Sequence, residues 1–410
     1  MIPSKNQSSP GAIVDFVLPT PARDSTNTRP DSVRSAGPIG ASRNSILPAL
    51  LAIFTLVTRI LCRGPLYFGD GPRHIKSILD KTYIIQPPGY WLFNRIAGLF
   101  PDPVLAIVGM NILFSVAGVV VFYYTACLFA SRVQACIAAF AYATIFYVWC
   151  SGEIHSTYAS QILFPVATFL VLLHYERDRA PWQLALAACL FAVGAGLRPS
   201  DGMFLIPMLV YFALFRMPRK TGLLFLALAG FLCLGWLIPT WLAYEHGPRG
   251  LQYPIGYIVK ITAMKSVLHG INRYSMANIA RFVVPLVAGF WPVLGVAVRN
   301  AIRNRSDWRV KAILLWIVPG SLFFVLIFIA DAPYLNFLTA AILLLAVSAP
   351  RWMMVTALWN AVVFLALSPI PSQRLAVNVV NSFVLKYTRG GIQQQDNTPL
   401  SAIQNSVDGR

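Results

Sequence analysis

Asp70 stands between two glycines in YFGDGPRHI (67–75), with Arg73 and His74 three and four residues further on. A carboxylate there can take a proton, and a guanidinium and an imidazole beside it can hold an anion, so the stretch has the groups for acid–base chemistry on a charged substrate. Four later stretches carry similar groups. QPPGYWLF (86–93) brings Gln86 and Tyr90, CSGEIHSTYAS (150–160) brings Glu153 and His155, GLRPSDGMF (196–204) brings Arg198 and Asp201, and IADAPYLNF (329–337) brings Asp331. Each also has a plain structural reading. Asp70 suits a turn, Glu153 and His155 a polar turn with a capping serine, Arg198 and Asp201 an ion pair at a helix start, and Asp331 an N-cap ahead of Pro333.

The elements that hold these groups are set by composition. The chain has 410 residues, 57% hydrophobic and 12% charged, against roughly a quarter charged in soluble domains. That describes an all-α polytopic membrane protein. Apolar runs of bilayer-crossing length predict about eleven spans, near 46–62, 104–130, 133–150, 157–174, 182–197, 203–215, 221–243, 282–298, 312–330, 334–349 and 352–368. Spans five and six are short enough to form a re-entrant hairpin. Residues 1–45, rich in Ser, Pro, Asn, Thr and Arg without apolar period, read as a disordered cytoplasmic tail, and 369–410 as a second tail. The first run, at 46–62, reads as a retained anchor. Six cysteines (Cys62, Cys127, Cys136, Cys150, Cys189, Cys233) lie in or beside spans without metal-ligand spacing. They read as packing residues, with Cys62 and Cys150 the one pair considered for a bridge.

The net charge of +18 points to topology rather than nucleic acid. With the N-terminus cytoplasmic, the inner loops 131–132, 175–181, 216–220, 299–311 and 350–351 hold twelve Lys plus Arg in 29 residues, and the outer segments hold eleven in 91. That bias follows the positive-inside rule. The same assignment puts Asp70, Asp80, Asp102, Glu153, Asp201, Glu245 and Asp331 outside, with His74, His155, His246 and His269. Ionisable groups at the ends of otherwise uncharged helices are costly and usually functional. The long first exoplasmic loop, 63–101, is expected to lie flat over a cavity, with Trp91 and Phe93 in lipid and Asn94 and Arg95 toward water. The second, 244–281, mixes aromatic, basic and apolar residues and suits an anionic, partly lipidic ligand.

Taken in order, Gly69-Asp70, Gln86-Pro87-Pro88-Gly89-Tyr90 and Glu153-Ile154-His155 resemble the GT-C superfamily of membrane glycosyltransferases. Within it, the resemblance is to multipass protein O-mannosyltransferase-like proteins that use polyprenyl-phosphate sugars, and it covers about 46–215. Two positions depart from the pattern: Gly71 follows Asp70 where many relatives carry a second acid, and Gln86 stands where histidine is usual. The resemblance implies a sugar moved from a polyprenyl-phosphate donor to an exoplasmic hydroxyl of a protein, lipid or glycan. Asp70 would be the general base and Glu153 a second catalytic carboxylate. Arg73, His74, Gln86, Tyr90, His155, Arg198, Asp201 and Asp331 would bind substrate, with Lys260, Lys265 and Arg273 as further cations. It admits a divalent metal without requiring one, and implies membrane lipid as partner and a bacterial inner membrane as the location.

No Walker-type loop or dinucleotide glycine pattern is present, which disfavours a nucleotide sugar as direct donor. Two other classes fit the composition: a transporter or flippase, for which RPSDG (198–202) is a faint interrupted-helix signal, and a non-catalytic assembly subunit, which the missing acidic pair permits.

Overall fold

The computed structural model describes residues 46–61, 70–85, 87–247, 266–327 and 332–367, with 256, 259 and 260. Gln86, Lys265 and Asp331, the two tails and most of 248–265 lie outside the described residues, as do Cys62 and the side chain of His269. Everything described is helix, turn or irregular chain, and no strand occurs among the described residues.

Each apolar run has become a helix, with α1 at Ile46–Leu61, α2 at Gly71–Leu79, α3 at Trp91–Ala97, α4 at Pro103–Ala126, α5 at Arg132–Thr144, α6 at Phe146–Ser151 and α7 at Ser160–Asp178. After these come α8 at Pro181–Leu197, α9 at Pro199–Phe215, α10 at Arg219–Glu245, α11 at Arg273–Arg303, α12 at Trp308–Leu326, α13 at Asn336–Ala346 and α14 at Pro350–Leu367. Among the described residues five segments are long and apolar enough to cross a membrane: α4, α10, α11, α12 and the run 157–178 containing α7. Helices α1, α8, α9 and the run 333–346 are shorter and equally apolar.

Three boundaries differ from expectation, each for a local reason. The predicted span 133–150 breaks at Ile145, where ψ swings to 123°; the freed amide of Phe146 donates to Asn360 Oδ1 at 3.2 Å. The predicted start at 203 moves back to Pro199, because proline fits the first helical position and pushes the residue before it into extended backbone. Arg198 accordingly has φ −146° and ψ 95°, and forms by itself the corner between α8 and α9. The start predicted at 282 moves back to Arg273, where Asn272 and Ser275 form a reciprocal cap, so the end of the second long loop is helical.

Small residues let the helices approach closely. Ala135, Ala138, Ala139, Ala141 and Ala143 on α5 are fully buried against its neighbours. The helix ends fall into two sets. At one end Arg309 reaches Leu128, Arg179 reaches Arg216 and Asn300 reaches Leu345. At the other, Arg198 meets Thr157, Asn278 meets Phe324 and Tyr244 meets Ile85. This second end carries the candidate chemistry.

Candidate functional site

Arg198 sits at the α8–α9 corner with 1% of its surface exposed. Its guanidinium carbon lies 4.2 Å from the ring centre of Tyr158, 4.9 Å from Tyr334 and 5.7 Å from Tyr90, a cation held among aromatic faces. Among the described residues its guanidinium makes one hydrogen bond, from Nη1 to Thr157 Oγ1 at 2.7 Å. Asp201, in the first turn of α9, brings Oδ1 to 3.5 Å from Nε. The same oxygen accepts from Gln161 Nε2 at 2.7 Å and Ser200 Oγ at 3.3 Å. The expected ion pair at a helix start is therefore present, and it is buried.

The described part of the first loop packs over this corner instead of lying flat in lipid. Phe93 and Asn94 are both fully buried, Trp91 is half-buried and Arg95 is exposed, so the expected division between lipid and water is corrected at Phe93 and Asn94. The reason is polar: Asn94 Nδ2 donates to the Tyr83 carbonyl at 3.0 Å, which turns Oδ1 toward His74 Nδ1 at 2.6 Å. Since Oδ1 can only accept, Nδ1 carries the proton and Nε2 is the acceptor nitrogen of the neutral ring. The ring meets Tyr90 and Phe93 edge-on, at 5.5 and 5.4 Å. Burial lowers the His74 pKa from 6.5, with Arg198 adding to the effect and Asn94 and Asp70 opposing it. Tyr90 follows Gly89, whose φ of +108° favours glycine, and burial pushes its phenol well above the usual value.

Asp70 precedes the first residue of α2, but its carboxylate does not cap the helix. Oδ1 instead faces Arg73 Nη1 at 3.4 Å, both side chains being partly exposed. Asp70 acts electrostatically on both His74 and Tyr90. Asp70, Arg73, His74, Tyr90, Arg198 and Asp201 thus form one neighbourhood.

Glu153 has a different charged neighbour. It is 1% exposed in the turn after α6, and the cation acting on it is Arg59 of α1. Burial raises its carboxyl from 4.5 to about 9, with Arg59 and Trp149 pulling the other way. Arg59 is itself fully buried. It donates to Ser115 Oγ at 3.2 Å and the Ala143 carbonyl at 2.6 Å, and its guanidinium lies 5.1 Å from the Trp149 ring centre. His155 is buried in the same turn. Asn111 of α4 clamps that turn, donating to the carbonyls of Ile154 at 2.6 Å and Ser156 at 2.8 Å, and Ser156 Oγ caps the next short helix at Tyr158 N, as expected of a polar turn with a capping serine.

Of the further cations, Lys260 and Arg273 are exposed. The cysteines Cys127, Cys136, Cys150, Cys189 and Cys233 are free thiols. Among the described residues no three His, Cys, Asp or Glu side chains gather as metal ligands. Sequence reading missed Arg59, Thr157, Tyr158, Gln161 and Tyr334. For Arg59 a signal existed, a lone cation inside an apolar run; the tyrosines look like ordinary interfacial aromatics.

An apolar helical bundle with buried cations and carboxylates gathered at one end defines an integral membrane protein with a polar site at its helix ends. Residues 85–242 match the family described as dolichyl-phosphate-mannose-protein mannosyltransferase, of GT-C type. The segment holds Tyr90, Glu153, His155, Arg198 and Asp201, and the similarity points to membrane glycosyltransferase activity. No curated protein matches the chain.

Proposed function

We propose that the protein transfers a mannose-like hexose, or another sugar, from a polyprenyl-phosphate donor to an acceptor hydroxyl at the outer membrane face, the acceptor being a protein, lipid or glycan. The observation that carries this reading is Arg198, a buried guanidinium packed on three tyrosines with most of its donors uncommitted, beside Asp70 and His74. In the transfer, the acceptor oxygen forms a bond to the sugar's anomeric carbon as the bond from that carbon to the phosphate oxygen breaks. The acceptor proton passes to the Asp70 carboxylate, and the electron pair leaves with the lipid phosphate. A hydroxyl attacks poorly until a base begins to take its proton, and the departing phosphate gains charge that a fixed cation stabilises. Asp70 supplies the base and Arg198 the phosphate seat, with Arg73 adding positive charge and the neutral His74 ring orienting the substrate.

Asp201 holds Arg198 from below, and Tyr90 packs on the guanidinium as a wall for the sugar. Glu153 and His155 belong to the turn that leads into Thr157, the residue bonded to Arg198, and Glu153 is the next carboxyl in line as base once it is deprotonated, which burial delays to about pH 9. Gln86 and Asp331 remain candidate donor contacts. A divalent metal at the departing phosphate would supply further charge stabilisation, but no ligand set for one is present among the described residues. The bacterial inner membrane, with the N-terminus cytoplasmic, is the setting this reading assumes.

The test is turnover by the purified protein of a radiolabelled polyprenyl-phosphate hexose with mixed acceptors. A labelled product other than free sugar is expected. Movement of intact donor across a vesicle membrane without transfer would replace this reading with a flippase.

A further inference from the structure

The opposite end of the bundle carries a second positive region that sugar transfer does not use. The turns and helix ends at 131–132, 175–181, 216–220, 299–311 and 350–351 hold twelve Lys plus Arg against Glu176, Asp178 and Asp307, a net of 12 − 3 = +9. The structure gathers part of this charge around one indole. Trp308, the first residue of α12, is half-buried; the Arg216 guanidinium lies 4.5 Å from its ring centre and that of Arg309 lies 5.6 Å away. Arg309 also stacks 5.7 Å from Phe129 and points Nη1 at the Leu128 carbonyl. Arg219 and Lys220 lie three and four residues after Arg216, and Arg305 and Lys311 flank Trp308, all four exposed.

Carboxylates on this face are spent elsewhere. Glu176 pairs with Arg179 and Arg216, Asp178 with Arg177, and Asp307 caps α12 through Arg309 N. Among the described residues none of Arg219, Lys220, Arg305, Arg309 and Lys311 is paired with a carboxylate. The apolar surface beside them is open, with Phe215 69%, Leu224 70% and Ile302 67% exposed. Such residues at the end of a membrane helix face acyl chains. A partner satisfying both features needs an anionic head and a hydrocarbon tail within a few ångströms of each other. A nucleic acid or a soluble polyanion supplies the charge and leaves the rim uncovered.

We propose that the face formed by the α9–α10 turn, the start of α12 and the 128–132 turn is a seat for the phosphate headgroup of an anionic phospholipid, with Arg309 and the Arg219–Lys220 pair as its main contacts. Arginine stacked on an aromatic ring is held ready for bidentate phosphate contact without ordering a free side chain.

The full-length protein, purified in uncharged detergent, is incubated with phosphatidylglycerol or phosphatidylcholine, and retained lipid is counted by native mass spectrometry. Wild type is expected to keep phosphatidylglycerol preferentially, and the preference should fall as salt rises. R219Q/K220Q/R305Q/R309Q should weaken retention about fivefold for each charge removed, which is the roughly 1 kcal/mol per cation found at anionic lipid surfaces. R219K/R305K/R309K should keep most of it. If the neutralised variant does not fold, the salt series and the lysine variant still decide. Equal retention of the two lipids by wild type, a salt-independent preference, or unchanged retention in the neutralised variant would each overturn the proposal. Displacement of phosphatidylglycerol by an equal concentration of inorganic phosphate would show a free-anion site and defeat the lipid assignment.

Discussion

Two buried arginines flank the 151–160 turn, and their hydrogen bonds are committed to different ends. Arg59 bonds to Ser115 of α4, the Ala143 carbonyl of α5 and its own neighbour Thr58, so its guanidinium ties three helices together. Gly152 presses so close that a Cβ there would lie 2.9 Å from Arg59 Nε and Ser115. Arg198 is equally buried but rests on ring faces, with one hydrogen bond to Thr157 and its carboxylate partner at 3.5 Å. A guanidinium whose donors all end on protein atoms has nothing to offer a ligand. One packed on aromatic faces keeps its charge and most of its donors for an anion. On this ground we propose a structural role for Arg59 and a place in the site for Arg198.

The largest expected effect lies beside Arg198. Asp70→Asn keeps the size and polarity of the side chain and removes its proton affinity, so transfer should fall by at least about a hundredfold, the lower end for general-base catalysis. Expression and donor affinity should not change. A variant transferring sugar at near wild-type rate would make Asp70 a turn residue and move the base to Glu153, which would also erase the contrast between the two arginines.

Breaking the two pairs should separate them further. Arg59→Ala removes bonds to two helices and opens a cavity where a fully buried side chain stood, so the loss is expected in stability, about 2 to 5 kcal/mol, read as a lower thermal midpoint in detergent. Arg198→Ala alone has a similar cost because Asp201 stays buried, so the informative protein is Arg198→Ala/Asp201→Asn. That double variant should recover much of the midpoint while transfer remains down by about tenfold to a hundredfold, the value of hydrogen bonds to a charged group. Arg198→Lys should keep partial activity, having the charge without the planar fork. Recovery of both midpoint and transfer in the double variant would return Arg198 to a structural role.

Much of the helical frame was legible because apolar length and proline or capping residues act locally: Asp102 ahead of Pro103, Ser131 and Asp307 each start a helix with a side-chain cap. The break at Ile145 was not legible, since it depends on Asn360, 214 positions away, accepting the freed amide. Asn94 was misplaced for a similar reason. An amphipathic pattern reads as lipid on one side and water on the other, and it cannot announce that a buried His74 and the Tyr83 carbonyl await the amide. Arg198 and Asp201 stood out as charges three apart after an apolar run, but the tyrosines around them come from three distant segments.

A smaller effect tests the packing under Arg59. Gly152→Ala inserts a methyl group where Arg59 and Ser115 already meet, and should cost about 1 to 3 kcal/mol of stability, as overpacking of a filled interior does. Donor affinity of the folded fraction should stay at the wild-type value. A fall in affinity with an unchanged midpoint would place Gly152 in the binding site and bring Arg59 with it.

The mildest test is pH, where the two clusters should pull in opposite directions. His74 belongs to the Arg198 cluster, and burial lowers its pKa from 6.5. The unfolded chain therefore takes up a proton first as pH falls, and stability is lost below about 6.5 down to the folded value. Glu153 belongs to the Arg59 cluster, and burial raises its carboxyl from 4.5 to about 9. Here the unfolded chain releases its proton first, so the contribution is complete below about 4.5 and is lost progressively as pH rises toward 9. The thermal midpoint of the detergent-solubilised protein should thus decline as pH rises from about 6.5 toward 9, while between about 4.5 and 6.5 the two contributions offset each other. His74→Gln should let the midpoint go on rising on the acid side, and Glu153→Gln should flatten the alkaline limb. Arg59 opposes the rise in Glu153, so Arg59→Met should steepen the alkaline limb, whereas Arg198→Lys should leave that limb alone. An alkaline limb that responds to Arg198 and not to Arg59 would mean that Glu153 shares the Arg198 site, and the separation of the two arginines would fail.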